Sequence, residues 1–488
     1  MMTVHDKLFI DGLWVAPATS ATIDVISPHT EDVIARVPEG KEADIDRAVA
    51  AARQAFDHGP WPRTTAGERG DLMAKLLAAL QQRADEMATT ITAEMGCPIS
   101  FSHLGQVMAS HMVLDYFTNL ARAYPFEEVR PGMLGPALVR REAVGVCALI
   151  VPWNVPLFVT MLKLAPALAA GATVVLKPAP ETPLDAVLLA DAIIEAGLPT
   201  GVINIVPAGR QVGEYLVTHR DVDKVSFTGS TAAGRRIASL CGERLRRVTL
   251  ELGGKSAAII LDDADLNVAI PGLLPAAMMN NGQACIAQTR ILASRRRYNE
   301  VAEALVQAVK SMPVGDPMIP TTMCGPLVAA RQRERVEGYI AIGQQEGARV
   351  AVGGGRPAGL TKGWYVEPTV FIGVDNAMRI AQEEIFGPVV AVIPFDDPDD
   401  AVRIANDSDY GLSGSVWTGD VGHGIEIARR VRTGTYTVNG FMMEFGSPFG
   451  GYKCSGMGRE LGPEGLSAFL ESKAISLPMG YEVRVRAA

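Results

Sequence analysis

From residue 144 onward the chain alternates between short apolar runs and longer stretches whose apolar positions recur with helical spacing. The runs at 146–151, 173–176, 202–206, 224–227 and 257–261 are strand-length and rich in Val and Ile, with helical segments between them near 157–170, 183–196, 211–219 and 231–241. Strands that are apolar throughout and separated by helices predict a parallel sheet covered on both faces. A second cycle follows Asp262-Asp263. Helical stretches at 296–311 and 329–346 alternate there with strand-like runs at 366–372, 388–394, 412–417 and 435–438. The pattern predicts two α/β domains, the first a doubly wound, Rossmann-like one.

The N-terminal stretch differs. Phe9-Ile10 and Leu13-Trp14-Val15 flank Asp11-Gly12, a dipeptide suited to the positive φ angles of a type I′ hairpin. Helices follow, one with Ile45, Val49, Ala52 and Phe56 on a face, then Met73, Leu76, Leu77, Leu80, Ala84 and Met87 at the same spacing. Segment 124–142, broken by Pro125, Pro131, Gly132, Gly135 and Pro136, interrupts the alternation, and so does the tail. Both are excursions able to add strands to another copy's sheet. The expected division is 1–123 with 143–255 for the first domain, 256–453 for the second, and 124–142 with 475–488 for a small β oligomerisation element. A homo-oligomer, dimer or tetramer, is expected.

Composition narrows the function classes. The 488 residues carry 45 Lys+Arg against 54 Asp+Glu, a net charge of −9, which lacks the basic footprint of a general nucleic-acid binder. Ala143 to Leu162 is charge-free and long enough to span a bilayer, but Pro152, Asn154 and Pro156 interrupt it. It reads as a buried strand, a loop and the start of a helix. Asp6, Lys7 and Asp11 stand where a signal peptide needs its apolar run. A soluble, cytoplasmic protein without membrane partners is expected. Cysteines 97, 147, 241, 285, 324 and 454 form no Cys-x-x-Cys pair, so they read as reduced thiols, one of which could do chemistry.

Four stretches carry candidate chemistry. Phe227-Thr228-Gly229-Ser230-Thr231 follows a strand, and Ser230 or Thr231 could cap a helix whose free N–H groups receive an anion. On these residues alone an ordinary strand-to-helix turn is the better reading. Glu251 ends an apolar strand before Gly253-Gly254; burial there would raise its pKa toward that of a general base, and a loop-capping Glu is the equal alternative. Cys285 lies in the polar turn Asn280-Asn281-Gly282-Gln283-Ala284, unlike Cys147 in an apolar strand or Cys241 near a helix end. Most lone cysteines are small buried hydrophobes, and no His lies nearby in sequence to activate this one. Pro152-Trp153-Asn154 and Lys177-Pro178 leave two strands at the ends where open α/β sheets hold ligands. Asn154 could donate to an oxyanion there and Lys177 could reach ribose or phosphate.

Taken together, these stretches resemble the NAD(P)-dependent aldehyde dehydrogenase superfamily. The likeness covers essentially the whole chain and includes Glu251-Leu252-Gly253-Gly254-Lys255, Gly282-Gln283-Ala284-Cys285, Glu383-Glu384-Ile385-Phe386-Gly387-Pro388 and Ser447-Pro448-Phe449-Gly450-Gly451-Tyr452-Lys453. The resemblance implies that Cys285 attacks the aldehyde carbon, with Asn154 and the Cys285 backbone N–H stabilising the oxyanion. Hydride then leaves to the nicotinamide, and Glu251 activates the water that hydrolyses the thioester to a carboxylic acid. It implies cofactor contacts from Trp153, Lys177, Gly229, Ser230, Leu252, Glu384 and Phe386, with Gln332 near the same ribose. Lys163 and Glu471 match positions where the family often has a Lys and a Glu near the base, a proton relay. No metal is implied.

One departure concerns the cofactor. Many NAD-preferring members have Glu three residues after the lysine; here that position is Pro180, with Glu181 beside it. NAD is expected, with NADP open because a missing carboxylate removes repulsion against a 2′-phosphate. Val155, Val159, Leu162, Met279, Phe441, Met442, Met443 and Phe449 fall where the family places substrate-tunnel side chains, or they are merely core. All are apolar, which favours a hydrophobic aldehyde. The competing readings are a coenzyme A-acylating enzyme, disfavoured by Glu251, and a non-catalytic binding or structural protein on the same fold.

Overall fold

Asp11 and Gly12 take φ of 57° and 74°, the two left-handed residues that a type I′ turn needs, and the strands they join, Leu8–Ile10 and Leu13–Val15, pair antiparallel. In this computed structural model, which describes residues 2–482, that hairpin forms one edge of an eight-stranded sheet. Across the sheet from the opposite edge lie Gly456–Met457, Arg247–Glu251, Lys224–Thr228, Val146–Ile150, Thr173–Lys177, Ile203–Ile205 and then the hairpin. The five inner strands run parallel, and their residues are almost all buried, as apolar strands between two helical layers must be. Helices Glu42–Asp57, Pro156–Ala170, Leu184–Ala196, Arg210–Thr218 and Thr231–Gly242 supply those layers.

The segment 143–162 resolves as strand Val146–Ile150, a loop, and helix Pro156–Ala170 begun by its own proline. Among the described residues, no helix is long and apolar enough to cross a membrane.

A seven-stranded sheet begins with Ala257–Ile260. Its order is Arg349–Val352, Thr369–Ile372, Val389–Phe395, Arg290–Ser294, Ala257–Ile260, Gly414–Trp417 and Thr437–Val438, with one antiparallel pair at the first edge. The central strand Arg290–Ser294 escapes the apolar pattern because an arginine opens it. Arg290 is nevertheless 2% exposed, its guanidinium donating to the Lys255, Ile404 and Ala405 carbonyls and to Asn376 Oδ1. A fully hydrogen-bonded arginine can occupy a core position.

A third sheet stands apart: Leu470–Ser476 pairs antiparallel with Ala137–Ala143, which pairs with Glu127–Arg130. Its last strand begins at Leu470, before the tail expected from 475, and positions 483–488 of that tail lie outside the described residues. Charged pairs lace this sheet, among them Lys473 with Glu142 and Arg141 with Glu128.

Candidate active site

The parallel strands of the first sheet run outward in opposite directions from the pair Val146–Ile150 and Lys224–Thr228, which the chain visits far apart. Such a reversal leaves a crevice beyond the strand ends, because the connections on its two sides turn away from each other. Pro152-Trp153-Asn154 leaves one of these strands and Gly229-Ser230 the other. They share a cavity of about 300 Å³ with Val155, Val159, Leu252, Cys285, Gln332, Arg335, Glu384 and Phe386. An adjoining cavity of about 510 Å³, also walled by Trp153, Gly229 and Ser230, runs past Lys177, Pro180 and Glu181 to Arg210 and Arg236. Ser230 caps helix Thr231–Gly242, its hydroxyl accepting from Ala233 N–H at 3.3 Å, so a helix N-terminus opens on the crevice. Lys177 is buried and donates to the Pro178 and Ala208 carbonyls at 2.9 and 2.8 Å; burial draws its pKa down to about 8.

The cysteine turn is built by asparagines whose part the motif alone does not reveal. Asn280 and Asn281 both take left-handed backbone conformations, φ 53° and 60°, which asparagine tolerates better than other side chains with a Cβ. Asn281 then clamps the turn: its Nδ2 donates to the Gly96 and Pro326 carbonyls at 2.9 and 2.8 Å, and its Oδ1 accepts from Gly325 N–H at 2.7 Å. Gln283 Oε1 accepts from Val328 N–H at 3.0 Å. Gly282, φ 72°, lies so close to Gly387 that a Cβ there would sit 2.1 Å from its carbonyl. Asn154 is locked against the same turn, donating through Nδ2 to the Gln283 carbonyl at 2.8 Å while its own carbonyl accepts from Asn280 Nδ2 at 2.8 Å. The signal available in sequence was the Asn-Asn-Gly run itself, a left-handed turn waiting for partners.

Of the six cysteines, Cys97, Cys147, Cys241 and Cys324 are buried; Cys285 and Cys454 are partly open. Burial raises the Cys285 thiol above its ordinary range, and the Glu384 and Glu251 carboxylates push the same way, while the N–H groups of Cys285 and Ile286 oppose them. The thiol therefore rests protonated and must lose its proton when it reacts.

Glu251 is 2% exposed at the end of strand Arg247–Glu251, with both carboxylate oxygens buried and lacking hydrogen-bond partners. Desolvation raises its pKa well above the usual carboxylate range, and the nearby Glu460 charge adds to the rise. Glu460, 3% exposed, forms an ion pair with Lys163, 0% exposed.

Glu460, not Glu471, is thus the carboxylate that accompanies Lys163. The expectation for Glu471 fails because it sits on a strand of the outer sheet, 48% exposed and paired with Arg247. Glu460 was missed because it stands in a Gly-Arg-Glu-Leu-Gly stretch beyond the recognised Phe449-Gly450-Gly451 motif. A bridge between Phe449 and Glu460 folds that stretch back beside Glu251.

Glu384 accepts from Gly254 N–H at 3.0 Å, and burial raises its pKa. Phe386 is strained into φ 64° and packs edge-on to Trp153 at 5.3 Å, while Gln332 Nε2 donates to its carbonyl at 2.7 Å. Gln332 therefore orients the Phe386 backbone from the cavity wall. Arg335, not singled out in the sequence, donates to the Glu384 and Ile385 carbonyls and lines the same cavity.

Beside Ile286, the residue after Cys285, a cavity of about 320 Å³ is walled by Phe441, Met442, Met443 and Phe449 together with Ser413, Thr435, Tyr436, Glu444 and Ser447, with no lysine or arginine among the described residues. Val155 and Val159 line the crevice instead. Leu162, 2% exposed, belongs to the core around helix Pro156–Ala170, the bland alternative for that position.

Comparison with known proteins gives one consistent result. A family model described as the aldehyde dehydrogenase family matches residues 14–475. A geranial dehydrogenase from Castellaniella defragrans is 47% identical over 98% of this chain and 100% of its own length. The structure of a Mycobacterium tuberculosis aldehyde dehydrogenase complexed with NAD+ superposes with a TM-score of 0.98 at 51% identity, covering 99% of this chain and 100% of that one. An aldehyde dehydrogenase C variant from Pseudomonas syringae, its cysteine replaced by alanine, in complex with NAD+ and octanal, gives 0.94 at 43% identity, over 96% of each chain. The chain belongs to the aldehyde dehydrogenase family.

Proposed function

We propose that the protein oxidises a hydrophobic aldehyde to its carboxylic acid with NAD+, through a thioester on Cys285 that Glu251 helps water to hydrolyse. The observation that carries this reading is the junction at Cys285. Cys285 lines the crevice with Ser230, Glu384 and Phe386, which adjoins the one holding Lys177. The next residue, Ile286, lines a second cavity that mixes Phe441, Met442, Met443 and Phe449 with hydroxyl side chains and, among the described residues, has no cation. The crevice suits a dinucleotide: a helix N-terminus and Gly229 face one stretch of it, and Lys177 another. When bound there, NAD+ supplies the acceptor for the aldehyde's hydride.

The chain's own residues do the rest. Cys285 Sγ gives up its proton to a water, which passes it to solvent, and bonds to the carbonyl carbon as the C=O π pair moves to oxygen. The Cys285 N–H and the Asn154 amide hold the resulting oxyanion, and such a donor can lower a barrier by about 3–4 kcal/mol. After hydride departure the carbon is a thioester. Glu251 draws a proton from water, the hydroxide attacks, and the C–S bond breaks to return the thiolate. A carboxyl with a raised pKa is a stronger base than an ordinary one, and the unpartnered Glu251 oxygens are free for that water.

Substrate and coenzyme follow from the walls and from the relatives. Ile286, Phe441, Met442 and Phe449 would bury a hydrocarbon tail, whereas Glu444 would repel a second carboxylate. The names of two relatives, one acting on geranial and one complexed with octanal, point the same way. Glu181 stands on the wall beside Pro180, ion-paired with Arg331, and the NAD+ complexes of the related structures support NAD+ as the coenzyme. A panel of aldehydes with both coenzymes, followed at the reduced-nicotinamide absorbance, tests all of this. Turnover with octanal and NAD+ is expected. No turnover with any aldehyde removes the reading, and turnover only with added coenzyme A replaces it by the acylating one.

Exposed Met133 and Leu134, in the loop between strands Glu127–Arg130 and Ala137–Ala143, and Met479, just beyond strand Leu470–Ser476, are the kind of apolar surface a second copy would cover. A homo-oligomer is inferred, and sedimentation of the full chain as a monomer would refute it.

A further inference from the structure

The loop that carries Lys177, Pro180 and Glu181 ends at helix Leu184–Ala196, and that helix starts on a buried carboxylate from elsewhere in the chain. Glu94, in helix Ala84–Met95 and 0% exposed, accepts from the Leu184 N–H at 2.9 Å and from the Asp185 N–H at 3.4 Å. One carboxylate at a helix N-terminus is well matched to the dipole. A second one is not. Asp185, 2% exposed, sits in that same first turn, and its Oδ1 is buried without a hydrogen-bond partner.

No cation offsets them among the described residues. Asp185 is the one charged side chain that acts on Glu94. Thr92, Ser102, Gln106 and Cys97, at the same end of the helix, are uncharged, the Cys97 thiol being pushed up to about 11 by burial. Of the other packed elements, helix Ala66–Gln81 has Asp71 paired with Arg122, and helix Pro156–Ala170 has Lys163 paired with Glu460. Within the loop, Lys177 donates to two carbonyls and Glu181 pairs with Arg331. Two like charges buried together cannot both persist, whereas one proton between them removes the repulsion and gives the orphaned oxygen a partner.

We propose that Glu94 and Asp185 hold one proton between them and that this proton keeps the loop 177–184 seated on the crevice, so that both act as positioning residues for the coenzyme. The proposal rests on the coenzyme reading above. Burial raises both groups, Asp185 to about 7 and Glu94 well above its ordinary range, the Asp185 charge adding to the rise. The pair therefore passes from two protons to one near the Asp185 value, and only a further rise in pH strips the shared proton, sets two charges at the helix start and loosens the loop. The same helix end reaches the catalytic turn, since the Gly96 carbonyl accepts from Asn281 Nδ2 at 2.9 Å.

The test is the dissociation constant of NAD+ for the full-length protein, read by intrinsic fluorescence from about pH 6 to about pH 9.5, so that the window extends above the Asp185 step. Glu94→Gln and Asp185→Asn keep the shapes and remove one charge each. Lys177, lowered to about 8, titrates in all three proteins, so the difference between wild type and variants carries the result. Wild-type binding should weaken with rising pH by about tenfold more than either variant's, with kcat at saturating NAD+ following the same pH profile in all three proteins. Equal slopes in the three proteins overturn the proposal. Infrared spectroscopy does not require the Glu94 and Asp185 variants to fold. Because burial also raises Glu251 and Glu384, the expected signal is a protonated-carboxyl stretch that disappears as pH rises and persists in Glu251→Gln and Glu384→Gln, and its absence at the acid end also overturns the proposal. Wild type that shows this band yet binds no NAD+ at any pH would refute the coenzyme reading and the loop role, leaving the shared proton standing.

Discussion

Two glutamates lie at opposite ends of one strand's neighbourhood, and their surroundings give them opposite characters. Strand Arg247–Glu251 starts at the surface, where Arg247 pairs with Glu471 and both side chains are about half exposed. Four residues on, it ends at Glu251, buried with no hydrogen-bond partner for either oxygen. Glu471 has a cation and water, so its charge is satisfied and it can do little chemistry. Glu251 has no paired cation: desolvation and the repulsion of Glu460 outweigh the attraction of Lys163 and Arg459 and the Gly451 N–H, so its carboxylate is held above the usual range. Withholding a partner makes a base; supplying one makes a strut.

The deepest cut at this contrast removes the group the base serves. Cys285→Ala should abolish aldehyde oxidation, a loss on the order of 10⁴-fold or more, while Cys147→Ala, buried in strand Val146–Ile150, should turn over normally. Equal losses in the two variants would detach the chemistry from the crevice.

Glu251→Gln comes next. Losing a positioned base should slow deacylation by about 10²–10⁴-fold and let a thioester accumulate, visible as a mass increase on Cys285. In the wild type the dependence on pH follows from the sign of the shift. Glu251 must be ionised to act and its pKa is raised, so kcat should climb with pH through a midpoint above the ordinary carboxylate range. A midpoint within that range would mean that water reaches the base freely.

Glu460→Gln is the sharper and smaller test. The Glu460 charge pushes the Glu251 pKa upward, so neutralising it should shift the acid limb of the kcat profile to lower pH. A fall in maximal kcat of about tenfold should accompany the shift, because Lys163 loses its partner. An unshifted limb would assign the rise in Glu251 to burial alone.

Much of this was legible in the chain. Apolar runs and helical spacings gave most of the inner strands of both sheets, since buried parallel strands write themselves as unbroken Val and Ile. Strand Arg290–Ser294 hid behind its arginine, whose burial depends on carbonyls brought from residues 255, 404 and 405 by the tertiary fold. The motif residues Asn154, Cys285, Glu384 and Phe386 meet in one cavity. Glu471 and Glu460 were confused for a physical reason: both follow the last glycine-rich motif, and spacing cannot say which one folds inward. Glu460 turns in because its backbone pairs with Phe449, beside Gly450, where a Cβ would sit 2.6 Å from Glu251 Oε1.

The smallest effect is expected where the sequence alone suggested a catalytic part. Glu471→Gln removes a carboxylate whose partner, Arg247, is 49% exposed, so solvent already screens the pair. Such surface pairs contribute about 0–1 kcal/mol, and the bidentate contact with Arg247 places this one toward the upper half of that span. Thermal unfolding should therefore move little, and kcat, KM and the acid limb should stay where the wild type has them. A double-mutant cycle with Arg247→Ala gives the pair's own coupling. A shifted acid limb in Glu471→Gln would mean that charge at the strand's surface end reaches Glu251 across its length, and the opposition between the two glutamates would then collapse into one coupled network.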